Sequence, residues 1–284
     1  MAVWNFGSIN LDHVYRVPHL VAAGETLAAQ SYDVGLGGKG ANQSVAAARA
    51  GALCHHIGAV GTDGVWAREA LAGYGVDVTH VAVGEVPTGH AIITVDDQGE
   101  NAIVLYPGAN QAPGATILTA LEGAGAGDLL LLQNETARQA EAAALAAARG
   151  MAVVYSAAPF DAQAVRDVLP YLGLLMMNKG EAEALRTAMG MLPEVDMIIT
   201  HGAAGAEWLG SRALHVPAFK VTAVDTTGAG DCFAGTLAAA LDAGLPAEAG
   251  MRRAAAAAAL QVTREGAAAA MPAAAEVDAF LGRT

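Results

Sequence analysis

The second half of this chain has a rhythm that leaves few folds open to it. Short, continuously apolar runs alternate with longer Ala-rich segments. Leu129–Gln133 (LLLLQ), Ala152–Ser156 (AVVYS), residues 174–177 (LLMM) and Met197–Thr200 (MIIT) each have the length of a strand. None alternates apolar with polar, which is the pattern of strands buried on both faces of a helix-covered parallel sheet. Residues 137–149, 181–187, 231–243 and 251–264 read as the helices between and after them. Strand–helix alternation of this kind predicts an α/β fold with a mostly parallel central sheet.

The first half adds strands at 2–6 and 54–60 and helices at 41–50 and 65–74, the first helix closed by Gly51. Two stretches break the rhythm. Residues 11–34 carry alternating apolar positions interrupted by Pro18 and Gly24, and strands at 90–95 and 102–105 flank an Asp96-Asp97-Gln98-Gly99 turn. The stretches 11–34 and 86–107 are expected to form a small sheet extending from a single domain over 1–284.

Composition narrows the class of function. The apolar fraction is 54%, much of it alanine, with only 5% aromatic residues, so tightly packed helices with small side chains are expected. The net charge of −13 argues against a nucleic-acid or anionic-membrane surface, since both need a basic patch. Cys54 and Cys232 form no disulfide framework and no zinc spacing, the N-terminal residues have no leader-like pattern, and no apolar run spans a membrane. A cytoplasmic protein is the expectation. The eight histidines have no metal spacing, and the neighbours His55 and His56 should point to opposite faces of their strand.

Asp225-Thr226-Thr227-Gly228-Ala229-Gly230-Asp231 runs into a helix. Its small residues leave the first helical N–H groups open, and a helix N-terminus attracts anions. Asp231, in the first turn, is either a helix-start carboxylate or a general base beside an anion hole. Gly35-Leu36-Gly37-Gly38-Lys39-Gly40-Ala41-Asn42 matches the spacing of a dinucleotide fingerprint, but residues 29–34 are no buried strand and no acidic residue ends strand 54–60. Walker A fails as well, since Gly40 follows Lys39. What remains is a glycine turn, or a loop that brings its backbone, Lys39 and Asn42 to a ligand. Asn178 and Glu181 suit a capping box, and the same side chains suit a hydrated magnesium ion. Glu135 and Thr200-His201-Gly202 follow strand ends, where ligands bind in open α/β sheets. The GAGAGD run at 123–128 precedes a strand and reads as a loop.

Together, Gly7-Ser8-Ile9-Asn10-Leu11-Asp12, GGKGANQ at 37–43 and DTTGAGD at 225–231 resemble the ribokinase (PfkB-type) sugar kinase family over essentially the whole chain. The resemblance implies a three-layer sandwich with a β lid, and ATP-dependent phosphorylation of a sugar's primary hydroxyl. It implies sugar contacts from Asn10, Asp12, Gly38, Lys39, Asn42 and Glu135, an anion hole at Gly228, Ala229 and Gly230, and Asp231 as base. Asn178, Thr200, Gly202, Gly205 and Gly230 would serve the nucleotide, Asn178 and Glu181 would organise Mg2+, and a homodimer would form through the lid. The backbone near Asp225, Thr227, Gln261, Arg264 and Gly266 would surround a monovalent cation such as K+. The chain departs from the pattern at Ala270, where a serine commonly assists that cation, at Lys179 and Gly180, and in a short segment between Glu181 and Met197. A nucleoside kinase, a kinase of another sugar and a non-catalytic sugar-binding protein are the alternatives.

Overall fold

Strands buried on both faces send alternate side chains into two different cores, and the apolar runs do so here. The computed structural model describes residues 1–114 and 116–283. The chain begins with β1 (Val3–Phe6), β2 (Asn10–Arg16), β3 (Ser31–Gly37), α1 (Lys39–Arg49), β4 (Cys54–Gly61), α2 (Val65–Gly73), β5 (Asp77–Gly84), β6 (Gly89–Val95), β7 (Asn101–Tyr106) and α3 (Thr116–Ala120). It continues through β8 (Leu129–Gln133), α4 (Gln139–Ala148), β9 (Ala152–Ser156), α5 (Ala162–Val168), β10 (Leu174–Asn178) and α6 (Lys179–Met189). It ends with β11 (Met197–Thr200), β12 (Ala206–Leu209), β13 (Leu214–Val216), α7 (Ala229–Asp242), α8 (Ala247–Gln261) and α9 (Ala274–Leu281).

Among the described residues the strands form a nine-stranded sheet, β13-β12-β11-β10-β9-β8-β1-β4-β5, and a four-stranded sheet, β3-β2-β6-β7. The large sheet is parallel from β5 to β11, with β12 and β13 antiparallel at one edge. Val3, Leu129, Leu131, Leu174 and Met176 face one core with residues of α1, α7 and α8. Trp4, Leu130, Leu132, Leu175 and Met177 face the other with residues of α4, α5 and α6. The result is three layers, helices on both sides of a sheet. The alanines Ala254 to Ala257 of α8 are all buried, so this turn of the helix is covered nearly all round.

Several boundaries differ from the sequence reading for local reasons. The glycine run is not one turn. Gly35 and Gly37 end β3, Gly38 (φ 90°) turns the chain, and Gly40 already lies in α1. Arg138, at φ 65°, delays α4 to Gln139. Helix α8 covers Ala247–Gln261 rather than 251–264, since Pro246 precedes its first turn. The short segment after Glu181 costs no helix, because α6 runs to Met189 and ends on Gly190 at φ 81°. Strands β5 and β13 form the sheet edges, β12 lies next to one of them and all three carry polar residues, while α5 and α9 are two turns long; no periodic pattern marks any of them in the sequence.

The strand order decides where a site can form. From β1 the chain builds β4 and β5 on one side, then returns to build β8 and its successors on the other. The boundary between β1 and β8 is a topological switch point, and ligands bind beyond the strand ends at such points. The small sheet extends from the end of β1, with Asn10 in register with both Gly37 and Gly89.

Candidate active site

Where β1 and β8 end, the chain makes a close crossing with the start of α1. The backbone of Ala41 donates to Ser8 O at 2.8 Å, and a Cβ on Gly40 would lie 2.4 Å from Ser8 N. Only glycine allows that approach. It places the Lys39 N–H on Glu135 Oε2 at 3.1 Å, and the Ser8 hydroxyl donates to the same carboxylate oxygen. Glu135, just beyond β8, is thus held at the switch point by both neighbouring elements.

The small sheet covers this crossing with Asn10 and Asp12, which share one face of β2 by the period of a strand. Asn10 Oδ1 accepts from Asn110 Nδ2 at 2.7 Å, and Asn110 Oδ1 accepts from Ile9 N at 3.0 Å. Burial, reinforced by the negative charge of Glu135, raises the Asp12 carboxyl to about 6.

Asp231 enters from α7. Its two carboxylate oxygens accept from Asn42 Nδ2 at 3.1 Å and Gln43 Nε2 at 2.9 Å, both side chains of α1. Burial raises its pKa above the ordinary value, against the pull of Lys39 and the two amides. Burial opposes the charge on Lys39, but Asp231, Glu135 and Glu181 outweigh it and hold the ammonium's pKa above the lysine value. One lysine therefore sits among three carboxylates that meet nowhere in the sequence. Asn42 Oδ1 is buried with no hydrogen-bond partner among the described residues. A buried acceptor without a donor is costly, and a ligand hydroxyl would satisfy it.

Behind Asp231 runs a buried polar chain. Gln133 Nε2 donates to Gln43 Oε1 at 2.7 Å and to Asn5 Oδ1 at 2.8 Å, and Asn5 Nδ2 donates to Ser44 Oγ at 2.8 Å. Ser44 Oγ meets His56 Nδ1, and His56 Nε2 meets Gly7 O. A carbonyl only accepts, so Nε2 carries the proton and Ser44 donates to Nδ1. Burial lowers the His56 pKa to about 4, which keeps the ring neutral in this role. His55, on the opposite face as expected, bonds Asp77.

The N-terminus of α7 is open. Gly228 lies at φ 80°, and space surrounds the position a Gly230 side chain would take. Unobstructed N–H groups at a helix start form an anion site. Asn178 and Glu181 form a complete capping box on α6, with bonds of 2.9 and 2.7 Å. The second oxygen of Glu181 has no hydrogen bond among the described residues, and burial raises its pKa while Lys39 lowers it and Asp231 raises it. Thr200 ends β11 in register with Asn178, and Gly202 and Gly205 form the turn beyond it. Asp225, Thr227, Gln261 and Gly266 meet in a separate cluster, which the Arg264 backbone joins through its N–H to Gln261 O at 3.0 Å, and the Arg264 guanidinium donates to Glu276. Among the described residues no cluster of three His, Cys, Asp or Glu side chains could enclose a metal.

Sequence reasoning did not single out Asn5, Gln43, Ser44, His56, Asn110 or Gln133 as site residues. Two signals were available: Gln43 closes the GGKGANQ run, and a polar Gln133 ends LLLLQ. Asn110 had none, since its loop reaches Asn10 only through the fold.

The profile of "pfkB family carbohydrate kinase" matches residues 3–274. Ribokinase of Haemophilus influenzae is 37% identical, the match covering 97% of this chain and 96% of that protein. The crystal structure of a ribokinase from Thermotoga maritima superposes with a TM-score of 0.89 at 34% identity, over 99% of each chain. An Arabidopsis thaliana ribokinase complexed with ribose and ATP gives a TM-score of 0.87 at 27% identity, again over 99% of each chain.

Proposed function

The chain belongs to the pfkB family of carbohydrate kinases, and from that premise we propose that it transfers the γ-phosphoryl group of ATP to the primary hydroxyl of a pentose, D-ribose to ribose 5-phosphate. The observation that carries this reading is Asp231, a buried carboxylate aimed by two amides and placed in the first turn of a helix whose open N-terminus suits phosphate.

Each group then has a task. Asp12 and Glu135 accept hydrogen bonds from sugar hydroxyls, with Asn10, Gly38, Lys39 and Asn42 completing the contacts. Asn42 Oδ1, buried and unpaired, supplies a further acceptor. Asp231 removes the proton of the primary hydroxyl as its oxygen attacks the γ-phosphorus in line. Gly228, Ala229 and Gly230 present backbone N–H groups to the transferring oxygens, and Lys39 adds positive charge nearby. Asn178, Thr200, Gly202, Gly205 and Gly230 line the nucleotide side. Glu181 offers a hard oxygen within the field of Lys39 and Asp231, which fits a water-mediated Mg2+; when bound, that ion neutralises phosphate charge. Activation by K+ is not part of this reading, because the carbonyls of Thr227 and Gly266 already receive an amide donor.

The lid excludes water, which would otherwise compete as acceptor. Its edge strand β7 exposes Ile103, Val104, Leu105 and Tyr106, and an apolar unpaired edge favours pairing with a second copy, so the homodimer through the lid belongs to the proposal. No helix among the described residues is long and apolar enough to cross a membrane. A cytoplasmic site of action completes the reading.

The test is ATP consumption by the purified protein with Mg2+ against pentoses, hexoses and nucleosides. Turnover greatest on D-ribose supports the proposal. Turnover greatest on another sugar or a nucleoside keeps the chemistry and overturns the substrate, and no turnover on any acceptor overturns the reading.

A further inference from the structure

Behind the N-terminus of α7, the turn before it and the turn after α8 lie against each other. Val224 N and Asp225 N both donate to Val262 O, at 2.7 and 3.2 Å. The Asp225 carboxylate spans the two turns, accepting from Thr227 N and Gly266 N at 2.9 Å each. Their carbonyls, Thr227 O and Gly266 O, converge on one point. Two carbonyl oxygens that converge repel each other unless a donor or a cation lies between them. These turns are the ones for which the family resemblance implied a monovalent cation.

In this chain the point of convergence is taken. Gln261 is fully buried, and its Nε2 donates to Thr227 O at 2.8 Å and to Gly266 O at 3.0 Å. A carboxamide nitrogen has two N–H bonds, one for each carbonyl. The reverse orientation would put a third oxygen against the other two. Ala270, in turn, brings no hydroxyl to the cluster. The residues present do not fit a resident monovalent cation, since an ion coordinated by both carbonyls would have to displace the amide.

We infer that the Gln261 side chain replaces the monovalent cation, tethering the 225–227 turn to the 262–266 turn so that the start of α7 is held in place without K+. Gln261 is a positioning residue; it acts on the transferring phosphoryl group through the turn that precedes Gly228. The substitution leaves a mark in the structure, because Gln261 Oε1 is buried with no partner among the described residues. An amide kept in place at the expense of an orphaned oxygen is one whose nitrogen is needed. Unlike an ion, it cannot be depleted.

The test compares the wild type with Gln261→Ala in KCl, NaCl and tetramethylammonium chloride at equal ionic strength, reading kcat on whichever acceptor turns over and the melting temperature of the ligand-free protein. The kcat arm rests on the kinase reading, and the melting arm does not. For the wild type the two readouts are expected to agree among the salts, kcat within about 2-fold. For Gln261→Ala, loss of the two partly buried hydrogen bonds is expected to lower kcat about 10-fold in tetramethylammonium chloride, with K+ restoring both activity and melting temperature. A wild type whose melting temperature or kcat rises specifically with K+ overturns the inference. So does a Gln261→Ala protein that keeps full activity and stability in tetramethylammonium chloride, for the tether would then be dispensable. Should that variant fail to fold, the salt response of the wild type decides alone.

Discussion

Replacing Asp231 by Asn separates the two things its carboxylate does. The side chains are nearly isosteric, so sugar and ATP should still bind and their KM values should move little. Loss of a general base costs about 10²–10⁴-fold in turnover, or about 3–5 kcal/mol at ~1.36 kcal/mol per decade. Stability responds to opposing terms. Asn42 and Gln43 both donate to the carboxylate, and an asparagine can accept from only one of them with its oxygen. The other amide then faces an NH2 group, at about 1–3 kcal/mol for an unsatisfied buried donor. Against that, the variant no longer buries a charge, and burial is the largest influence on the Asp231 pKa. The sign follows from linkage. A folded-state pKa above the ordinary 3.8 stabilises the fold at low pH, and that contribution is lost as pH rises through the folded value. The wild type should therefore lose stability relative to Asp231→Asn as pH climbs above 3.8. Coupled ADP-release kinetics and urea melts at several pH values measure both effects. Turnover above a tenth of wild type would refute Asp231 as base, and a stability difference that moves the opposite way with pH would refute the desolvation argument.

Two further perturbations test the packing and the sugar side. At Gly235 in α7 a Cβ would lie 2.2 Å from Gln43 O and 2.7 Å from the Ala46 Cβ; Gly235→Ala should cost about 1–3 kcal/mol by overpacking and lower kcat by shifting Gln43 from Asp231. An unchanged melting temperature and kcat would show that the α1–α7 contact yields freely. Asp12, with a pKa of about 6, accepts hydroxyl bonds best when ionised, so sugar affinity should fall as pH drops below 6; Glu135→Gln removes the like charge and should move that midpoint to lower pH, both read by calorimetric titration. Affinity that is flat from about pH 5 to 8 would remove Asp12 from sugar binding.

The layered parallel sheet was legible in the sequence because its evidence is local. Four apolar runs of strand length are buried wherever the chain puts them, and the Ala-rich stretches that separate them can only cover a sheet. The signatures around Lys39 and Asp231 were legible for the same reason, each being a short run whose glycines admit a backbone approach that other residues forbid. Edge strands such as β13 escaped, since three residues carry no periodicity.

By itself, then, the sequence determined the fold class, the helix start before Asp231 and a glycine-rich run around Lys39 able to approach other backbone closely, but not what Gly40 crosses. Only the tertiary structure decided what those features meet. Asp231 finds Asn42 and Gln43 across separations of 189 and 188 residues, because α7 packs on α1 through Gly235. Lys39 acquires three carboxylate neighbours from three different elements. The resemblance put the backbone of Gln261 near a monovalent cation, but only the fold sets its side-chain amide between two carbonyls. The physical reason is range. Backbone preference and hydrophobic period act over a few residues, whereas hydrogen-bond partners and pKa shifts depend on which distant side chains share one low-dielectric space.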